Sequence, residues 1–344
     1  MMKAYSLHGI GNLVYEDVPV PSCPEGWVIV EVKATGICSS DIPRIFTKGT
    51  YHFPTIPGHE FAGVVAKVAD GANESLLGQH VGVFPLIPCR QCSQCESHHY
   101  EMCEHYDYVG SRRDGAFAQY VAVPVWNLVL LENTLPFIHA AMLEPLSVAL
   151  HAIKISGVKQ GDSVGIIGTG MIGISAAQWA RWGGASKIKV IGRGNGKRQL
   201  VESCGVEYEA CKGLDELGQY DIVIEAVGTP DAIEQAIFAA RPGGVIVLMG
   251  NPSGDIPFKQ DTYWRVLRKQ LTLKGTWNSS YDGIQPSDWT DAVGALTRGE
   301  LNVAPLVTHV FDQSDVMEGL VMMRNHKEPY CKVMTIWNNG DSVK

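Results

Sequence analysis

No window of 18 apolar residues occurs in this 344-residue chain, so no segment of it reads as a membrane-spanning helix. Positive charge is also scarce: 28 Lys and Arg stand against 36 Asp and Glu, a formal net charge of -8. A nucleic-acid partner needs a basic face against its phosphates, and no Lys-rich run offers one. The start, Met-Met-Lys-Ala-Tyr-Ser-Leu-His, lacks the apolar core of a secretion signal, and the expectation is a cytoplasmic protein. Nine cysteines are an odd number in a chain too long to need disulfide staples, which favours reduced thiols and metal ligation. Internal repeats and low-complexity tracts are absent. What is present is apolar mass, 45% of residues, enough for two cores in a chain whose length predicts about two domains.

The rhythm of that apolar mass changes along the chain. Residues 1–148 read as β-rich: Val28 to Ala34, Gly63 to Val68, His80 to Phe84 and Ala118 to Val123 are short β-branched runs punctuated by Gly and Pro. Such spacing suits a barrel-like antiparallel fold, interrupted by an irregular lobe at about 88–104. Residues 149–283 alternate short apolar runs with helical patterns, beginning with Ser163 to Ile167 and then Met171 to Trp182. Continuous apolar runs mark parallel strands covered on both faces, so this part is expected to be a doubly wound α/β domain. Residues 284–344 are expected to hold one helix, Trp289 to Arg298, and a terminal strand near Lys332 to Trp337, and to return to the first domain.

Two cysteine groups carry metal chemistry. Cys38, His59 and Glu60, close to Gly36 and Gly58, supply a thiolate, an imidazole and a carboxylate, three ligand types that zinc accepts. Glu144, in Leu-Glu-Pro-Leu-Ser-Val, is a further acid able to complete or back up that coordination. Cys89, Cys92, Cys95 and Cys103 have the spacing C-x2-C-x2-C-x7-C, and four thiolates closed around one zinc leave no open position, so this site is structural. An iron–sulfur cluster shares the first two gaps, but its last gap is shorter.

A third signal is Gly168-Thr169-Gly170-Met171-Ile172-Gly173, set between a predicted strand and a predicted helix, the context a dinucleotide site requires. Gly168 makes the tight turn, Gly170 admits the pyrophosphate to the helix N-terminus, and Gly173 lets helix and strand pack closely. Val227 and Gly228, ending a later apolar run, are counted with the nucleotide residues. An NAD site places an acid about 20 residues on, at the end of the second strand, to bind the ribose hydroxyls. This chain has Gly192-Arg193 there, followed by Lys197 and Arg198, and a guanidinium suits a 2′-phosphate. The nucleotide is therefore expected to be NAD(P), with a lean toward NADP(H).

Taken together, the chain resembles the zinc-dependent medium-chain dehydrogenases over essentially its whole length. Cys-Ser-Ser-Asp-Ile-Pro-Arg-Ile at 38–45, Pro-Leu-Ile-Pro-Cys at 85–89, Gly-Ser-Arg-Arg-Asp-Gly at 110–115 and Glu-Pro-Leu-Ser-Val at 144–148 resemble the polyol branch, above all its galactitol-1-phosphate 5-dehydrogenase members. The resemblance implies a GroES-like catalytic domain joined to a Rossmann domain, two zinc ions per chain, and a homodimer or homotetramer. It implies Cys38, His59 and Glu144 as catalytic-zinc ligands, with Glu60 as the alternative. Many relatives pass the alcohol proton through a histidine five positions after the zinc cysteine; here that position is Pro43.

The implied reaction is reversible oxidation of a secondary alcohol of a sugar alcohol or its phosphate, with hydride passing to NAD(P). Ser40 is the candidate first proton acceptor. Arg44, Lys48, Arg112 and Arg113 are candidates for gripping a substrate phosphate, and Trp277, with His52 and Asn278, for lining the cleft.

Overall fold

The computed structural model describes residues 1–69, 73–283 and 287–338. It divides into two compact units, one of Met1–Glu144, Ser280–Arg298 and Val307–Lys344, the other of Pro145–Ser279 and Gly299–Leu306. The first crossing thus falls at 144/145 rather than 148/149, and a short late segment joins the second unit rather than the first. Among the described residues no helix is long and apolar enough to cross a membrane.

The first unit is built on a seven-stranded sheet. Its strands run in the order Val307–Asp312, Lys332–Ile336, Trp27–Ile37, Glu60–Val68, His80–Val83 and Leu128–Leu130, and Tyr120–Pro124 pairs with the other end of Trp27–Ile37. All pairs are antiparallel except the first, Val307–Asp312 with Lys332–Ile336, which is parallel. Alternation along Trp27–Ile37 puts Val28, Val30 and Val32 into a core with Phe61, Val65, Val81, Val83, Phe117 and Trp337. Burying each such side chain fully is worth about 1.5–3 kcal/mol. The last part of the chain holds more than the one helix and one strand expected. Besides the helix Asp288–Thr297 and the strand Lys332–Ile336 it forms the strand Val307–Asp312 and the helix Val316–Asn325. The strand was hidden because its side chains alternate between half-buried and exposed, so no continuous apolar run marks it.

The second unit is a six-stranded parallel sheet in the order Glu207–Ala210, Lys187–Gly192, Ser163–Ile167, Tyr220–Glu225, Ala240–Leu248 and Thr272–Gly275. This is the 3-2-1-4-5-6 order of a Rossmann domain, so the doubly wound class expected from the alternation is found. The helix Met171–Trp182 packs with Ile174, Ala176, Ala177, Trp179 and Ala180 fully buried; its three alanines let it lie close to the sheet. Trp179 donates its indole N–H to the Leu146 carbonyl at 2.9 Å, so the buried ring keeps its polar edge satisfied. Pro230 at the first turn and the Thr229 hydroxyl, which accepts from Ala232 N, start the helix Pro230–Ala239.

Candidate active site

Antiparallel pairing brings the ligand candidates of the first unit together. Gly36 is opposite Glu60, so the end of Trp27–Ile37 and the start of Glu60–Val68 meet at one edge, with Cys38 just past one strand and His59 just before the other. One ligand atom each from Cys38, His59 and Glu60 lie within 4.8 Å of one another, with both His59 and Glu60 buried. Gly36 is required here for space: a Cβ on it would collide with the Glu60 carboxylate and come within 2.6 Å of Lys332 Cε. Gly58 has φ +96, and any side chain there would also strike Phe117.

Around this trio stands a layer of charged partners. Asp41, fully buried, accepts from Cys38 N at 3.0 Å and from Arg44 Nη1 at 2.8 Å, and its Oδ1 faces His59 Nδ1 at 3.5 Å. A carboxylate on that face orients the ring and leaves its other nitrogen for a metal. Burial works against charge on both groups, but each outweighs it for the other: His59 is held well above the usual imidazole value, and Asp41, helped by Arg44, below the usual carboxylate value. Lys332 opens its strand fully inside the protein, ion-paired to Glu60 and donating to the Ile37 carbonyl at 3.2 Å. Burial opposes its charge, but Glu60 and then Cys38 raise its pKa. Glu144 accepts from the Tyr108 hydroxyl at 3.3 Å, and the Tyr108 ring lies 5.8 Å from that of His59. Burial pushes the Glu144 carboxyl up to about 7, and nearby Glu60 adds to this against the pull of His59. Ser40 donates its hydroxyl to Cys38 Sγ at 3.3 Å.

The four-cysteine lobe is self-contained. Cys89 and Cys95 sulfurs are 3.9 Å apart and those of Cys92 and Cys103 4.0 Å, and all four lie within 4.8 Å of one another. A disulfide needs about 2.0 Å, whereas Zn–S bonds of about 2.3 Å at tetrahedral angles place sulfurs roughly 3.8 Å apart. The donor set and its spacing fit zinc. Backbone N–H groups of Glu104 and Cys95 draw the Cys92 thiol down to about 6.

In the second unit Gly168 has φ +124, which turns the chain from the strand into the helix Met171–Trp182. Gly173 packs against the Gly168 carbonyl, where a Cβ has no room, while nothing lies within 4 Å of a Cβ on Gly170. That leaves an open cradle at a helix N-terminus, with Met171 and Ile172 in its first turn, and it fits a pyrophosphate. Gly228, at φ +80 after Val227, is held as Glu225 Oε1 accepts from Val227 N at 2.7 Å and Gly228 N at 2.9 Å.

Sequence comparison agrees with both halves. The Alcohol dehydrogenase GroES-like domain matches residues 24–133, and the Zinc-binding dehydrogenase family matches residues 172–298. Galactitol 1-phosphate 5-dehydrogenase of Escherichia coli (strain K12) is 34% identical over 292 residues, 82% of this chain and 84% of that one. The chain belongs to the zinc-dependent medium-chain dehydrogenases. A crystal structure of galactitol-1-phosphate dehydrogenase from Escherichia coli matches 97% of this dehydrogenase and 100% of its own chain with TM-score 0.90 and 31% identity. A zinc-binding dehydrogenase from Sinorhizobium meliloti 1021 bound to NADP matches 98% of this chain and 99% of its own with TM-score 0.87 and 26% identity.

The remaining candidates of this dehydrogenase separate by their partners. Arg44 is engaged by Asp41, inside the layer around the ligand trio. Arg113 is exposed, paired with Asp107 and 5.2 Å from the Trp27 ring centroid. Lys48 is exposed at the end of the turn Arg44–Lys48. Arg112 has two tyrosine rings and, among the described residues, no acid. Trp277 is exposed in the second unit, just beyond the strand Thr272–Gly275. Near the nucleotide cradle Arg193 is exposed, while Arg198 bonds Asn195 and Glu202 and lies 4.8 Å from the Tyr208 ring centroid. Three residues of the metal centre escaped sequence reasoning: Asp41, Tyr108 and Lys332. Only Lys332 left a trace, as a lone charge within Cys-Lys-Val-Met-Thr-Ile. Asp41 and Tyr108 carry no local signal.

Proposed function

We propose that this dehydrogenase oxidises, reversibly, a secondary alcohol of a sugar-alcohol phosphate, or less favourably of the free polyol, with NADP(H) preferred over NAD(H). The observation that carries the reading is the clustered Cys38–His59–Glu60 trio, its histidine and acid buried, beside a second acid, Glu144, in a chain that also holds a pyrophosphate cradle. When bound, zinc supplies a Lewis acid for the substrate hydroxyl and the nucleotide supplies the hydride acceptor.

The residues divide the remaining work. Cys38 and His59 hold the catalytic zinc, with Asp41 orienting the imidazole. Lys332 keeps Glu60 paired, which favours Glu144 as the third protein ligand and Glu60 as the exchanging one. Ser40, already on the Cys38 sulfur, takes the alcohol proton, since Pro43 has none to relay. Cys89, Cys92, Cys95 and Cys103 hold the structural zinc.

The nucleotide preference rests on Gly192 and Arg193. A Cβ on Gly192 would strike the Tyr208 hydroxyl and come within 2.8 Å of Thr169 Cγ2, so an acid there requires Tyr208 to move. Arg193 is left exposed for a 2′-phosphate, and the NADP-bound relative is consistent with this. A homo-oligomer is also proposed. The edge strand Thr272–Gly275 and the helix Gln260–Arg268 expose Tyr263, Trp264, Leu267 and Leu273, apolar surface that a second copy would cover. The site of action is proposed to be the cytoplasm.

A screen of polyols and polyol phosphates with NAD⁺ and NADP⁺ in parallel tests the whole reading. Galactitol 1-phosphate with NADP⁺ is expected to give the highest kcat/KM, and Arg193→Asp to lower the NADP⁺/NAD⁺ ratio steeply. Equal efficiency on galactitol removes the phosphate, and an unchanged ratio removes the role of Arg193.

A further inference from the structure

We propose that Arg112 is the residue that receives the anionic end of the substrate, a terminal phosphate ester on the sugar alcohol; this rests on the sugar-phosphate reading above. Of the basic residues flanking the metal centre, Arg44 and Arg113 each already face a carboxylate, Asp41 and Asp107. Lys48 is an exposed ammonium with no ordering contact among the described residues, and an ammonium lacks the planar fork that meets a phosphate with two parallel N–H donors.

Arg112 differs on every count. Its guanidinium carbon lies 4.3 Å from the Tyr51 ring centroid and 4.5 Å from that of Tyr106, two ring contacts that hold the cation without neutralising it. Nη2 donates to the Tyr51 hydroxyl at 3.3 Å. Nε is buried, and among the described residues it has no hydrogen-bond partner and the guanidinium no ion-paired carboxylate. A buried guanidinium N–H without an acceptor is costly unless an anion completes it, and the ring faces offset only part of that cost.

The backbone that carries Arg112 is fixed to the metal centre at both ends. The turn begins at Tyr108, whose carbonyl accepts from Arg112 N at 3.0 Å and whose hydroxyl reaches Glu144. It closes on the segment before His59: Asp114 Oδ1 accepts from Ile56 N at 2.9 Å, Gly115 N donates to Ile56 O at 2.7 Å, and Ala116 N donates to Gly58 O at 2.9 Å. His52 braces the turn from outside, its Nε2 3.1 Å from the Arg112 carbonyl. From Glu144 outward, Tyr108, Tyr106 and Arg112 follow in contact, the two rings 6.2 Å apart. Lys332 and Arg44 beside the trio are already paired with Glu60 and Asp41. A polyol whose reacting hydroxyl sits at the metal centre and whose chain runs along these rings would bring its far end, the place of a terminal phosphate, to the Arg112 guanidinium.

The test compares wild type, Arg112→Leu, Arg112→Lys and Tyr106→Leu, each zinc-loaded. It measures kcat/KM for galactitol 1-phosphate and for galactitol, inhibition by inorganic phosphate, and thermal unfolding. In Arg112→Leu the ratio of phosphorylated to free substrate is expected to fall by about 10²-fold, mostly through KM, the size expected for charge-assisted bonds to an anion. Arg112→Lys should recover part of it and Tyr106→Leu should lose part. Phosphate inhibition should weaken in parallel with the ratio. A ratio that survives Arg112→Leu, or equal losses on both substrates with a lowered unfolding temperature, overturns the proposal. If wild type shows no preference for the ester, the sugar-phosphate reading fails by itself. The anion site at Arg112 then stands if inorganic phosphate inhibits wild type and not Arg112→Leu, and falls if it inhibits neither.

Discussion

The first unit holds two groups of side chains that could hold a metal, and they are made in opposite ways. The four cysteines come from a single stretch of 15 residues, Cys89 to Cys103, held by short turns and helical pieces of its own. The other group draws Cys38, His59 with Glu60, Glu144 and Lys332 from four places: strand pairing gathers Cys38, His59, Glu60 and Lys332, and the Tyr108 hydroxyl ties in Glu144 from the start of a helix. The first is four like ligands that satisfy one ion completely. The second mixes thiolate, imidazole and two acids with a buried lysine, so its partners outnumber the positions one zinc needs. With zinc bound, the four thiolates would leave no open position, whereas the mixed group, with Glu60 held by Lys332, would leave one for substrate.

The strongest way to break this contrast is to remove one sulfur from each group. Cys38→Ser should cost several kcal/mol of transition-state stabilisation, ~10³-fold or more in kcat/KM, with little change in unfolding temperature. Cys103→Ser should do the reverse, lowering the unfolding temperature by ~5 °C or more. Kinetic assays, calorimetry and zinc content per chain check both, and interchanged phenotypes would assign the two groups the other way round.

A finer distinction concerns Lys332. Removing one partner of a buried pair leaves the other charge uncompensated, so Lys332→Met should destabilise chelator-treated protein by about 3 kcal/mol. With zinc restored the penalty should shrink, because the ion gives Glu60 a new counter-charge. Equal penalties with and without zinc would mean that Glu60 never meets the metal.

The nucleotide loop offers a comparison outside the metal groups. Gly192→Asp alone should weaken NADPH without gaining NADH, because the Tyr208 hydroxyl occupies the space. Joined to Tyr208→Ala, the same change should improve NADH by about tenfold, the value of a hydrogen bond to a charged group. If the single variant already uses NADH well, Tyr208 is no obstacle.

The smallest effect expected is at Asp221, far from any ligand candidate in sequence and set in the second unit. Its carboxylate accepts from Ser163 N at 2.8 Å and Ser163 Oγ at 2.5 Å, and from Arg241 Nε at 2.5 Å, contacts that hold its pKa well below the usual range. A depressed folded pKa contributes stability above the unfolded value near 3.9 and loses it as pH falls toward the folded one. Asp221→Asn should therefore be about 1–2 kcal/mol less stable at pH 7, with the gap narrowing below about pH 4. A gap constant with pH would assign the loss to packing.

Much of this was visible before the fold. The parallel sheet showed in its continuous apolar runs, the cradle in Gly168 to Gly173, and the four-cysteine lobe in its spacing, because each depends on neighbours in sequence. The strand Val307–Asp312 was hidden by its half-exposed alternation, and the helix Val316–Asn325 by the absence of any motif near it. Asp41 was in plain sight within Cys-Ser-Ser-Asp, yet its role came only with burial.

Sequence alone determined the residue types and short spacings on offer: Cys38, His59 and Glu60 beside two glycines, four cysteines at C-x2-C-x2-C-x7-C, a G-x-G-x-x-G turn with Gly192-Arg193 where a ribose acid would stand, and a net charge of -8. Local sterics and ligand preference constrain such patterns. Tertiary structure decided which of several similar side chains is committed and which is free. It set Lys332 against Glu60, Asp41 between His59 and Arg44, Tyr208 over Gly192, and Arg112 against two tyrosine rings. Charge pairing and steric exclusion act through space, between residues up to 272 positions apart in the chain, and no local pattern carries them.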